Sequence, residues 1–134
     1  MATLDEIMLA LKSTLGEIDG LTAYSVEPGS PKFPAVWPFL RTTDYRHHYG
    51  NGMVWNIVIS VAVAAAEVGR AQTNLYPYLD VTGPKSIAAA IDADPSLGLA
   101  GVTAVVKGVL SMGRAAIAGI EPIVAQLDLE VMVS

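Results

Sequence analysis

The chain reads as a single α+β domain over residues 1–134, with a mainly antiparallel sheet, a long hairpin and helices packed on one face. Three observations predict this. Residues 4–18 carry apolar side chains at helical spacing, residues 53–65 and 120–133 alternate with a period of two, and Asn51-Gly52 sits between two β-prone runs. Helices and strands occur in blocks without regular βαβ alternation, which favours α+β over a parallel sheet.

The first helix is set by Leu4, Ile7, Met8, Leu11, Leu15 and Ile18, which form one apolar stripe. Thr3 and Glu6 have capping-box spacing, and Asp5 and Glu6 complement the positive end of the helix dipole. Gly16 or Gly20 marks the exit. Residues 21–26 form a short strand, and residues 27–31 (Glu-Pro-Gly-Ser-Pro) form a turn. Residues 33–40 are extended. Pro34 and Pro38 lack a ladder donor, so this segment is expected as an edge strand or a covering loop. Residues 41–49 and 53–65 form the hairpin around Gly50-Asn51-Gly52. Trp55, Ile57, Ile59, Val61 and Val63 alternate with Asn56, Val58, Ser60 and Ala62, the pattern of a half-buried strand.

Residues 69–79 read as a helix with Leu75, Tyr76 and Leu79 on its apolar side and Pro77 within it. Thr82-Gly83-Pro84 opens a second helix over residues 85–91, which Asp92-Ala93-Asp94-Pro95 ends. Residues 96–101 are a loop, and residues 103–114 and 120–133 are strands. In the last strand Leu127, Leu129, Val131 and Val133 face one way, and Gln126, Asp128, Glu130 and Met132 the other.

Composition narrows the function. The 134 residues suit one domain with a real core. Apolar residues make up 52% and charged residues only 16%, against about 25% charged in an ordinary domain. Either part of the surface is covered by a partner, or an Ala-rich, Gly-rich sequence simply counts as apolar. The absence of cysteine excludes disulfides, zinc-thiolate sites and a thiol nucleophile. A net charge of −5 opposes a general phosphate-binding surface. The N-terminal residues carry no signal-peptide pattern, and residues 57–66 are too short to span a bilayer as a helix. An intracellular, membrane-free protein is expected.

Each catalytic candidate has a plain structural reading. Val109-Leu110-Ser111-Met112-Gly113 lacks the first glycine of a nucleophile elbow, so Ser111 reads as a strand residue. Gly83-Pro84-Lys85-Ser86 lacks the glycines of a phosphate loop and reads as a helix start. His47 and His48 are adjacent, so on a strand they face opposite ways and share no metal. Asp92 and Asp94 read as a helix stop. No enzyme activity, cofactor or metal is expected.

One segment stands apart. Arg41, Asp44, Tyr45, Arg46, His47, His48 and Tyr49 gather two of the eight basic residues, both histidines and two of the five tyrosines beside the hairpin tip. Tyr and Arg combine contact area with hydrogen bonding, so these residues are the candidate assembly interface with protein, or a local contact to passing nucleic acid. The competing reading is the solvated end of a hairpin, and a ligand pocket near Tyr45, His47 and Trp55 is a third.

The order of features resembles the tail terminator (tail-completion) proteins of long-tailed bacteriophages, including actinobacterial phages. The resemblance lies in the opening helix, Phe33-Pro34-Ala35-Val36-Trp37-Pro38, the Gly50-Asn51-Gly52 hairpin and Asn74-Leu75-Tyr76-Pro77-Tyr78-Leu79-Asp80. It continues through residues 83–91, the Asp94-x-x-Leu97-Gly98 loop and the closing strand. It implies a virion protein, assembled in the host cytoplasm. As a homo-oligomeric, six-membered ring it would cap the head-proximal end of the tail tube and end tail polymerisation. Its partners would be the tail tube protein and a head connector or stopper, with DNA passing through the lumen unbound. A connector or stopper protein of the neck is the alternative. An acidic lumen would suit DNA passage, with Asp128 and Glu130, or Glu17 and Asp19, as contributors.

Overall fold

The computed structural model describes residues 2–29, 32–44, 53–64, 68–114 and 121–133. Its elements run α1 (Leu4–Leu15), β1 (Thr22–Ala23), β2 (Ala35–Asp44), β3 (Met53–Val63), α2 (Val68–Leu79), α3 (Ile87–Ala93), β4 (Val102–Arg114) and β5 (Ile123–Val133). The strands form one five-stranded sheet in the order β1-β2-β3-β5-β4. Every pairing is antiparallel except the short β1–β2 contact. The fold is α+β, as the sequence predicts.

Local chemistry sets the helix ends. In α1 the Thr3 side chain accepts from the Glu6 N–H at 3.3 Å, and the Thr3 N–H donates to Glu6 Oε1 at 3.3 Å, closing the capping box. Ile7, Leu11 and Leu15 are buried by this helix, each burial contributing roughly 1.5–3 kcal/mol. Helix α2 runs through Pro77 to Leu79. Its buried face is Leu75 and Tyr78, while Tyr76 is exposed. Leu75 and Leu79 of the expected stripe do pack against the core, and the one correction is Tyr76, whose place is taken by Tyr78, three residues from Leu75 on the same helix face. Ser86 caps α3, accepting from the Ala89 N–H at 3.0 Å. After α3, Leu97 (φ 55°) and Gly98 (φ 73°) turn the chain toward β4. The buried Leu97 side chain offsets the cost of its left-handed backbone.

All three helices pack on one sheet face. The main core joins Ile7, Leu11, Leu75, Ile87 and Ile91 to Ile57, Ile59, Leu127 and Leu129. Helix α1 lies against β2 and α3, α2 against β3 and β5, and α3 against β4.

Two strand expectations are sharpened. Strand β3 is expected half-buried, yet Val54, Val58, Ser60 and Ala62 on its second face are buried as well. It is the central strand, flanked by β2 and β5. Residues 35–44 do form a strand. The Tyr24 N–H donates to the Val36 carbonyl at 2.9 Å, so the Val36 backbone faces β1. Backbone groups alternate in direction, which puts the missing N–H of Pro38 on the same outer edge, past the end of β1. The edge-strand expectation holds there.

Candidate assembly interface

The sheet face turned away from the helices is the most distinctive surface. Cross-strand register places Trp37, Ser60, Gln126 and Ser111 in one row, and Phe39, Val58, Asp128 and Gly108 in the next. At one end, Trp37, Ala35, Ala62 and Val124 form a second, smaller core covered by Tyr24 and Phe33. The Tyr24 hydroxyl accepts from the Lys32 N–H at 3.0 Å and ties this cover down. Beside it opens a groove of about 600 Å³, lined by Glu27, Trp37, Phe39, Arg41, Val58, Ser60, Leu110, Ser111, Val124 and Gln126.

Two walls of the groove are irregular strand positions. The β2–β3 register slips between Leu40 and Thr42, leaving Arg41 as the extra residue. The β4–β5 register slips between Val109 and Ser111, leaving Leu110 as the extra residue. A bulge re-aims a side chain that regular pleating would send elsewhere. Both re-aimed residues, Arg41 and Leu110, line the groove. Phe39 is 62% exposed and Leu110 44% exposed, so the groove presents apolar surface to solvent.

Charge divides between the two sides. On the helices and their connections, Asp5, Glu6, Glu17, Asp19, Asp80, Asp92 and Asp94 outnumber Lys12, Arg70 and Lys85. On the strands and the loops joining them, Glu27, Glu121, Asp128 and Glu130 are matched by Lys32, Arg41, Lys107 and Arg114. Among the described side chains, the acid excess therefore lies in the helix layer. On the open face Lys107 Nζ meets Glu130 Oε2 at 3.0 Å. The hydrogen bond and charge of Glu130, with a contribution from Asp128, hold the Lys107 amine above its ordinary value.

Of the predicted interface residues, Arg41 stands in the groove wall and Asp44 ends β2 opposite Val54. Tyr45, Arg46, His47, His48 and Tyr49, with the Gly50-Asn51-Gly52 turn, lie outside the described residues. Trp55 is buried on the helix side of β3, where it packs in the core instead of lining an open site. Ser111 is a strand residue whose hydroxyl donates to Gln126 Oε1 at 3.1 Å. Ser86 is buried, and its hydroxyl also donates to the Asp80 carbonyl. Asp94 caps the end of α3 and accepts from Ser96 Oγ at 3.0 Å. Among the described residues no cluster of three His, Asp or Glu could hold a metal, and no helix is long and apolar enough to cross a membrane.

The sequence reading missed Trp37, Phe39 and Leu110 as site residues. Phe39 and Trp37 alternate with Pro38 in a run expected to be extended, which was the available signal. The bulge at Leu110 has no local signature, because it arises from pairing with β5. No protein-family model matches the chain, and no curated protein matches it.

Proposed function

We propose that the protein is a structural ring subunit, the terminator of a phage tail tube, whose open sheet face carries subunit contacts. The observation that carries this reading is the two-sided surface: a charge-balanced, partly apolar, bulge-framed groove on one side and an acid-rich helix layer on the other. A ring subunit needs contact surfaces low in net charge and an acidic surface facing DNA. The helix layer, with Glu17 and Asp19, supplies the second, and Asp128 and Glu130 stay with the contact face. Arg41 in the groove fits the interface role. In this role the protein catalyses no reaction and needs no cofactor. It acts in the virion neck, with tail tube protein on one side and head connector on the other.

Electron microscopy of the purified protein, alone and with assembled tail tubes, tests the proposal. The expected result is a ring, alone or on one tube end, and tubes of limited length. A strict monomer that leaves tube ends bare overturns it. Co-assembly with tube protein against connector protein separates a terminator from a head–tail stopper.

A further inference from the structure

A second cavity, of about 440 Å³, opens where β2 begins, β3 ends and α2 passes them. Small-molecule sites commonly measure roughly 300–1,000 Å³. Phe33, Pro34 and Pro77 give it apolar walls, and Asn74, Tyr78 and Lys85 bring polar groups to it. Each of those three groups can donate a hydrogen bond. The chain has thirteen acidic residues against eight basic ones, yet no Asp or Glu is among the described residues that line this cavity.

Two of the donors are unspent. Tyr78 is only 4% exposed, and its hydroxyl has no hydrogen-bond partner among the described residues, although it is not sealed from solvent. Burial raises its ionisation above the ordinary value, so the phenol keeps its proton and remains a donor. Lys85 Nζ lies 6.0 Å from the centre of the Tyr78 ring, at the reach of a cation–π contact. Among the described residues the ion pairs are Lys107 with Glu130 and Arg114 with Glu121, so the Lys85 charge is left without a carboxylate.

We infer that this cavity binds a small organic anion, its charged head on Lys85, Tyr78 and Asn74 and its apolar body against Phe33, Pro34 and Pro77. An anionic acceptor gives the Tyr78 hydroxyl the partner it lacks, and hydrogen bonds to a charged acceptor are the stronger kind. A cationic ligand would meet an ammonium with no carboxylate to offset it. The site lies apart from the open-face groove, and the inference does not rest on the ring reading.

The test is titration of the full chain, followed by amide and side-chain NMR, with benzoate, phenyl phosphate and benzylamine. The three probes share an aromatic body and differ in the head: carboxylate, phosphate or ammonium. The expected result is saturable shifts around residues 33–34, 74–78 and 85 with the anions, and none with benzylamine. The two anions rank a carboxylate against a phosphate head. Lys85→Met and Tyr78→Phe should each weaken anion binding about tenfold or more, the worth of a hydrogen bond to a charged group. Lys85 is exposed and Tyr78→Phe keeps the ring, so both variants should fold, which a thermal melt checks. Lys12→Met, an exposed lysine on α1, controls for the lost charge and should bind as the wild type does. Three results overturn the inference: no saturation with either anion, benzylamine binding as tightly as the anions, or a folded Lys85→Met variant that binds unchanged. Each of these leaves tube capping, and with it the ring reading, as it was.

Discussion

Replacing Ser86 by alanine isolates one polar group on which the helix layer depends. Ser86 is 1% exposed, and its hydroxyl makes two bonds, accepting from the Ala89 N–H and donating to the Asp80 carbonyl. The first caps α3, and the second ties α3 to the end of α2. Loss of an N-cap costs about 1 kcal/mol. The freed Asp80 carbonyl belongs to an exposed residue that water can partly reach, so its loss sits near the low end of the usual range, about 1 kcal/mol. The sum is about 2 kcal/mol, which for a chain of this length lowers Tm by roughly 8 °C. Ser86→Gly should cost about half as much, since glycine is a tolerable cap but cannot bond Asp80. Calorimetry of the two variants, with amide exchange across α3, measures both effects. A Ser86→Ala variant within about 0.5 kcal/mol of the wild type, with α3 protection unchanged, would refute the reasoning. A phosphate-induced rise in Tm that this substitution abolishes would restore the phosphate-loop reading.

Leu11→Ala should cost about 2–5 kcal/mol, because Leu11 is fully buried between α1 and the sheet; its denaturant midpoint reports this. Arg41→Ala should weaken assembly in sedimentation while leaving the monomer's thermal melt unchanged, since Arg41 is an exposed bulge residue. Burial raises the Tyr78 phenol above its ordinary value of 10.0, and Glu130 raises Lys107 above 10.5. Both folded values exceed the unfolded ones, so both contributions are complete below about pH 10 and are lost as pH rises beyond it. Absorbance titration, compared with a Tyr78→Phe variant, should therefore show the Tyr78 phenol ionising above its ordinary value. In Glu130→Gln the Lys107 amine, followed by NMR, should titrate lower than in the wild type. A Lys107 titration that does not move would show that Glu130 is not the cause.

The sequence by itself determined the elements whose signals are local. The Thr3–Glu6 box and the stripe through Ile7, Leu11 and Leu15 specify α1 within a few residues. Alternation through Leu127, Leu129, Val131 and Val133 specifies β5 and the face it buries. Asn51-Gly52 between two β-prone runs predicts that β2 and β3 pair antiparallel, and they do. Tyr76 was misplaced because tyrosine's ring is apolar enough to suit a core or a surface, and only α2's rotation against β3 and β5 chooses Tyr78 instead.

Tertiary structure alone decided the site. Arg41 and Leu110 are far apart in the chain and become two walls of one groove only through β3 and β5 between them. Their bulges are mismatches between paired strands, so neither strand's own sequence encodes them. Val109 and Met112 are exposed while Val102 and Ala104 of the same strand are buried, a matter of packing and not of their hydrophobicity. The sequence carries only 16% charged residues, and it is the packing of three helices on one face of the sheet that leaves the other face open.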